Sequence, residues 1–96
     1  MMNIEYITYP TDLSKIEDIK NDNIDVIVGL DNGKTYTVVV TTPQNYYWYM
    51  EKEGLEYIPA APPDIIVKEL RYDIIERAIQ DFCKNEGYFL IKYAEM

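Results

Sequence analysis

The side chains that most often carry out chemistry are scarce in this chain. It has no histidine, so the commonest general acid–base and the commonest transition-metal ligand are both missing. Its single serine, Ser14, stands next to Lys15. A serine–lysine nucleophile needs the two side-chain heads to converge, which adjacency along the chain does not provide, and Ser14 reads as a polar turn residue. The single cysteine, Cys83, falls on the apolar face of a predicted helix with no histidine to activate it, and reads as a small core residue. Glu17 with Asp18, or Glu51 with Glu53, could be posed as acid–base pairs. With 17 acidic residues in the chain, such pairs are expected on solvated faces. The run Asn21-Asp22-Asn23-Ile24-Asp25 resembles the opening of a calcium loop, but Val26 stands where that loop needs glycine and Asn32 where it needs glutamate. The four glycines never form a phosphate-cradling loop. The chain is therefore expected not to be an enzyme, with no catalytic residue, metal or cofactor assigned.

Binding chemistry is better represented. There are ten tyrosines against two phenylalanines and one tryptophan, and Tyr46, Tyr47, Trp48 and Tyr49 are consecutive. Tyrosine and tryptophan tolerate half-burial because one end is apolar and the other can stay wet, and both are enriched where proteins meet. A helix turns about 100° per residue, so one face cannot take all four rings. Trp48 and Tyr49 are the candidate partner contacts. The formal net charge is −8, and residues 1–33 hold seven acids against Lys15 and Lys20. This argues against neutralising nucleic-acid phosphates and against an anionic membrane surface. It suits a basic protein partner drawn in by long-range attraction. Asp22, Asp25 and Asp31, around a predicted hairpin, are the candidate charge contacts.

These residues need a scaffold, and 96 residues allow one domain, 1–96. Ile4–Tyr9 alternates as a first strand, with Ile4, Tyr6 and Thr8 expected on one face, and Pro10 ends it. Asp12 is placed to cap a short turn that carries Leu13, Ile16 and Ile19. Ile24–Leu30 and Lys34–Thr41 form a hairpin around Asp31-Asn32-Gly33. Val38-Val39-Val40 is apolar on both faces and predicts an inner strand covered at least partly on both sides. Thr42 and Pro43 open a helix over 43–53 that Gly54 stops. Tyr46, Tyr47 and Met50 are expected to share one face of it. After a proline-stiffened connection, Ile65-Ile66-Val67 starts a strand. Leu70, Ile74, Ile75, Ala78, Ile79, Phe82 and Cys83 then mark the apolar side of a second helix over about 71–85. Tyr88–Tyr93 is expected to be the last strand. The expected fold is α+β: a mixed sheet of about five strands in the order β-β-β-α-β-α-β, with two helices packed on it.

Parts of this framework resemble a known group. The segment Gly33-Lys34-Thr35-Tyr36-Thr37-Val38-Val39-Val40-Thr41-Thr42-Pro43-Gln44-Asn45 looks like the hairpin-to-helix segment of small immunity-type proteins of bacterial toxin systems. Ile65-Ile66-Val67-Lys68-Glu69-Leu70, then Ile74-Ile75-Glu76 and Ala78-Ile79, and finally Gly87–Tyr93, are similar to the same group. The resemblance spans residues 24–93 and leaves residues 10–23 unmatched. It implies a non-enzymatic inhibitor that blocks the active site of a basic toxin domain, such as a nuclease, and it transfers no binding residue. The alternative reading is a small-molecule-binding or regulatory domain, as a homodimer. One thiol, no apolar leader and no long apolar run set the expectation of a cytoplasmic protein with no membrane partner.

Overall fold

The structure is a computed structural model and describes residues 3–58 and 64–84. Along the chain come β1 (Ile4–Thr8), a single 3-10 turn (Leu13–Lys15), β2 (Asn23–Leu30), β3 (Thr35–Thr41), α1 (Pro43–Glu53), β4 (Ile65–Ile66) and α2 (Tyr72–Lys84). The strands lie in the sheet in chain order. β1, β2 and β3 are antiparallel in turn, and β4 joins β3 in parallel. This is the expected α+β class with a mixed sheet. The described sheet has four strands rather than five. The strand expected at Tyr88–Tyr93 and the side chain of Cys83 lie outside the described residues.

Local chemistry accounts for the joints. Gly33 sits at φ 85°, the left-handed backbone that lets the β2–β3 hairpin close, and Leu30 N–H donates to the Lys34 carbonyl across the turn at 3.0 Å. The parallel β3–β4 pairing needs a crossover, and α1 supplies it. Thr42 caps α1 by accepting from the Asn45 N–H at 3.2 Å, Pro43 fills the first helical position, and Gly54 ends the helix at φ 69°. Asp12 caps the 3-10 turn by accepting from both the Ser14 N–H and the Ser14 hydroxyl.

One face of the sheet holds the core. Ile24, Val26, Val28 and Leu30 of β2 alternate onto it, as do Tyr36, Val38 and Val40 of β3. Against them pack Leu13, Ile65, Val67 and Leu70, and Ile75 and Ile79 of α2, with Ile74 and Ala78 half-buried beside them. The helical spacing of that α2 stripe is why one side of the helix joins this core.

β1 departs from the expected alternation. Ile4 pairs with Leu30 but Tyr6 pairs with Gly29, so Glu5 is an extra residue in the ladder. Past this bulge the phase is reversed. Ile4 and Ile7 share the core side, while Tyr6 and Thr8 look to the other face. The reason is that both isoleucines can pack against the core only if one residue is skipped between them.

The second face carries Asp25, Ile27 and Gly29 of β2 and Thr35, Thr37, Val39 and Thr41 of β3. The ring of Tyr6 lies over Gly29, where any Cβ would collide with it, and its hydroxyl shares a hydrogen bond with Thr35 Oγ1 at 3.2 Å. Val39 is half-buried, the partial second cover expected of an inner strand.

Candidate functional site

Helix α1 stands on the Val39 side of the sheet and is held there by polar bonds more than by packing. Asn45 is its one buried residue among those described. The Asn45 amide donates to Asn21 Oδ1 at 3.1 Å and accepts from Asn23 Nδ2 at 2.9 Å, and the Thr41 hydroxyl also donates to it at 3.4 Å. The Thr42 hydroxyl donates to the Lys20 carbonyl at 2.8 Å. These bonds clamp residues 20–23 onto the start of α1. One turn on, the Tyr46 hydroxyl donates to Asp64 Oδ2 at 2.7 Å, tying the helix to the entry of β4.

This clamp decides where the aromatic run faces. Asn45, Tyr46, Tyr49 and Met50 form the arc turned inward. Tyr47 and Trp48 fall outside it, 64% and 47% exposed, and Tyr49 remains 42% exposed although it faces in. The expectation that Tyr47 would share a face with Tyr46 and Met50 is therefore corrected. Asn45 takes the innermost position, which rotates Tyr47 to solvent. Tyr49 stays open because the sheet beneath it is not filled.

The gap beneath Tyr49 is a groove of about 310 Å³, lined by Val39 and Thr41 of the sheet, Tyr46, Trp48 and Tyr49 of α1, and Ile58 and Asp64. Asn23 and Asn45 close one end. A second, more polar hollow adjoins it, lined by Asn21, Asp22, Asn23, Asn45 and Trp48. The indole is thus a wall shared by two hollows. The ammonium of Lys52, one helical turn on, sits 4.9 Å from the centre of its ring.

The five residues chosen from sequence divide. Trp48, Tyr49 and Asp22 come together around these hollows. Asp25 joins them, since it is exposed on β2 directly opposite the groove-lining Val39. Asp31 does not. It lies past the far end of β2, roughly 30 Å along the strand from Asp22 at ~3.4 Å per residue, and accepts a hydrogen bond from Asn3 Nδ2 at 3.2 Å. Sequence reasoning missed Asp64, Ile58 and Val39 as groove residues and Asn45 as the fastener. No spacing signal joins Asp64 to Tyr46, because the contact is made by the crossover. An asparagine in the first turn of a helix, following Asn21 and Asn23, is the one hint that was present.

Elsewhere Tyr9 makes an edge-to-face contact with Tyr72, centroids 4.6 Å apart, and donates its hydroxyl to Glu76 Oε2 at 3.1 Å. Burial, then the charge of Glu76, push the Tyr9 phenol well above the usual tyrosine range. The hydrogen bonds from Ser14 hold the Asp12 carboxyl below its ordinary range. Both groups sit in structural contacts away from the groove. Among the described residues no three acidic, cysteine or histidine side chains converge as a metal site, and no helix is long and apolar enough to cross a membrane. No protein-family model matches the chain, and neither a curated protein nor a solved structure matches it significantly.

Proposed function

We propose that this chain is a non-enzymatic protein-binding module, an immunity-type inhibitor that docks on a basic toxin domain and blocks its active site. One observation carries the reading. Trp48 and Tyr49 stand open at the lip of a groove whose acidic neighbours, Asp22, Asp25 and Asp64, all lie on the same side of the molecule. Amphipathic rings that surround a hollow are the usual anchors of a protein interface, and a rim of carboxylates favours a basic partner. The groove volume falls at the low end of those that enclose small molecules. An inserted side chain suits it better than a cofactor.

The test is protection in cells. The product of the reading frame adjacent to this protein's gene is co-expressed with it. The wild-type chain is expected to restore growth. The double variant Trp48→Ala, Tyr49→Ala, checked by circular dichroism to remain folded, is expected to lose protection. A folded double variant that protects as well as the wild type would refute the proposal.

A further inference from the structure

The groove has a definite chemistry. Its walls are three aromatic rings and two aliphatic side chains. The amides at one end already bond each other, Asn23 Nδ2 to Asn45 Oδ1. Among the described lining residues Asp64 alone carries a charge, and half of its carboxylate is committed. Oδ2 accepts from the Tyr46 hydroxyl, whereas Oδ1 accepts no hydrogen bond from a described residue. The hollow therefore offers flat apolar walls and one anionic acceptor.

We infer that this groove receives an arginine side chain of the partner protein, its guanidinium stacked against the aromatic walls and donating to Asp64. The inference rests on the docking reading above and names the partner group at that site. Charge complementarity selects a cation, since one carboxylate faces the hollow in a chain of net charge −8. Shape selects arginine over lysine. A guanidinium is planar, weakly hydrated, stacks on rings and presents a fork of N–H donors to a carboxylate. A lysine ammonium is compact and strongly hydrated, and gains less from flat aromatic walls. The three-carbon stem of arginine lies against apolar surface at no cost to its charge, which suits Val39 and Ile58.

The experiment uses the intact chain and small probes. Nα-acetyl-arginine amide, Nα-acetyl-lysine amide and the uncharged isostere Nα-acetyl-citrulline amide are titrated while the fluorescence of Trp48, the sole tryptophan, and amide and methyl NMR shifts are followed. The arginine probe is expected to saturate with a millimolar dissociation constant, to move the signals of Trp48, Val39 and Ile58, and to bind about tenfold tighter than the citrulline probe. Asp64→Asn keeps an acceptor for Tyr46 but removes the charge, and should weaken arginine binding about tenfold. The wild-type shift map does not depend on that variant's folding. Equal binding of citrulline, tighter binding of lysine, unchanged affinity in Asp64→Asn, or shifts confined to other surfaces would each overturn the inference. The two failures are distinguishable. Loss of protection in the Trp48/Tyr49 variant with no preference for arginine would sink only the arginine assignment. Arginine binding in the groove with protection intact in that variant would sink the docking reading and the partner assignment with it, leaving only a groove that binds arginine.

Discussion

At the scale of single residues, two tyrosine environments contrast. The hydroxyl of Tyr46 is used to fasten a helix, while that of Tyr9 is used inside a pair of packed elements, against Glu76 and Tyr72. The raised Tyr9 phenol has a consequence for pH. Folding favours the protonated form, so the stability it confers is complete below the ordinary tyrosine value near 10 and is lost as pH rises through the higher folded value. Tyr9→Phe keeps the ring contact and removes the hydrogen bond. Urea denaturation at neutral pH should show a loss of about 1 kcal/mol. The wild type should lose stability more steeply than the variant above pH 10, and parallel alkaline curves would contradict this assignment. Tyrosine abundance was legible in the composition. Which hydroxyls are structural was not, because Glu76 and Asp64 lie far along the chain from the tyrosines they accept from.

At the scale of elements, the hairpin and the bounds of α1 were legible because their signals are local. Gly33 and Gly54 take left-handed backbone, Thr42 caps, and Pro43 follows. The bulge in β1 was not legible, since a skipped residue leaves the local alternation looking unbroken. It emerges only from pairing with β2. The orientation of α1 was hidden for another reason. Aromatic residues occupy consecutive positions, so hydrophobic periodicity cannot choose a face, and buried Asn45 chooses it instead. Asn45→Ala would strip the partner from Asn21, Asn23 and Thr41 at once. A loss of about 2 kcal/mol is expected, less than three full desolvation penalties because the outer amides can reach water. Chemical denaturation measures this, and NMR shifts should follow along residues 20–23 and α1. A loss below about 0.5 kcal/mol would mean the clamp is not what sets the helix.

At the scale of the whole molecule, the acidic excess read from composition is resolved into places. Asp22 and Asp25 flank the groove, while Asp31 lies at the far end of β2. Asp22→Lys and Asp31→Lys alter the net charge equally, so the difference between them reports position. With the partner identified by co-expression, stopped-flow association should slow about tenfold for Asp22→Lys, and threefold or less for Asp31→Lys, at low salt. Equal slowing would place the contact elsewhere. The Glu5 bulge bears on this scale too. Among the described strands β1 has β2 as its single neighbour, so no described strand pairs with its outer rim. Fibrillar stacking of one copy on the next requires a long, flat, regular rim. Here the rim is five residues long, kinked by an inserted carboxylate and closed by Pro10. The same insertion that turns both isoleucines toward the core therefore makes this border a poor seed for amyloid growth.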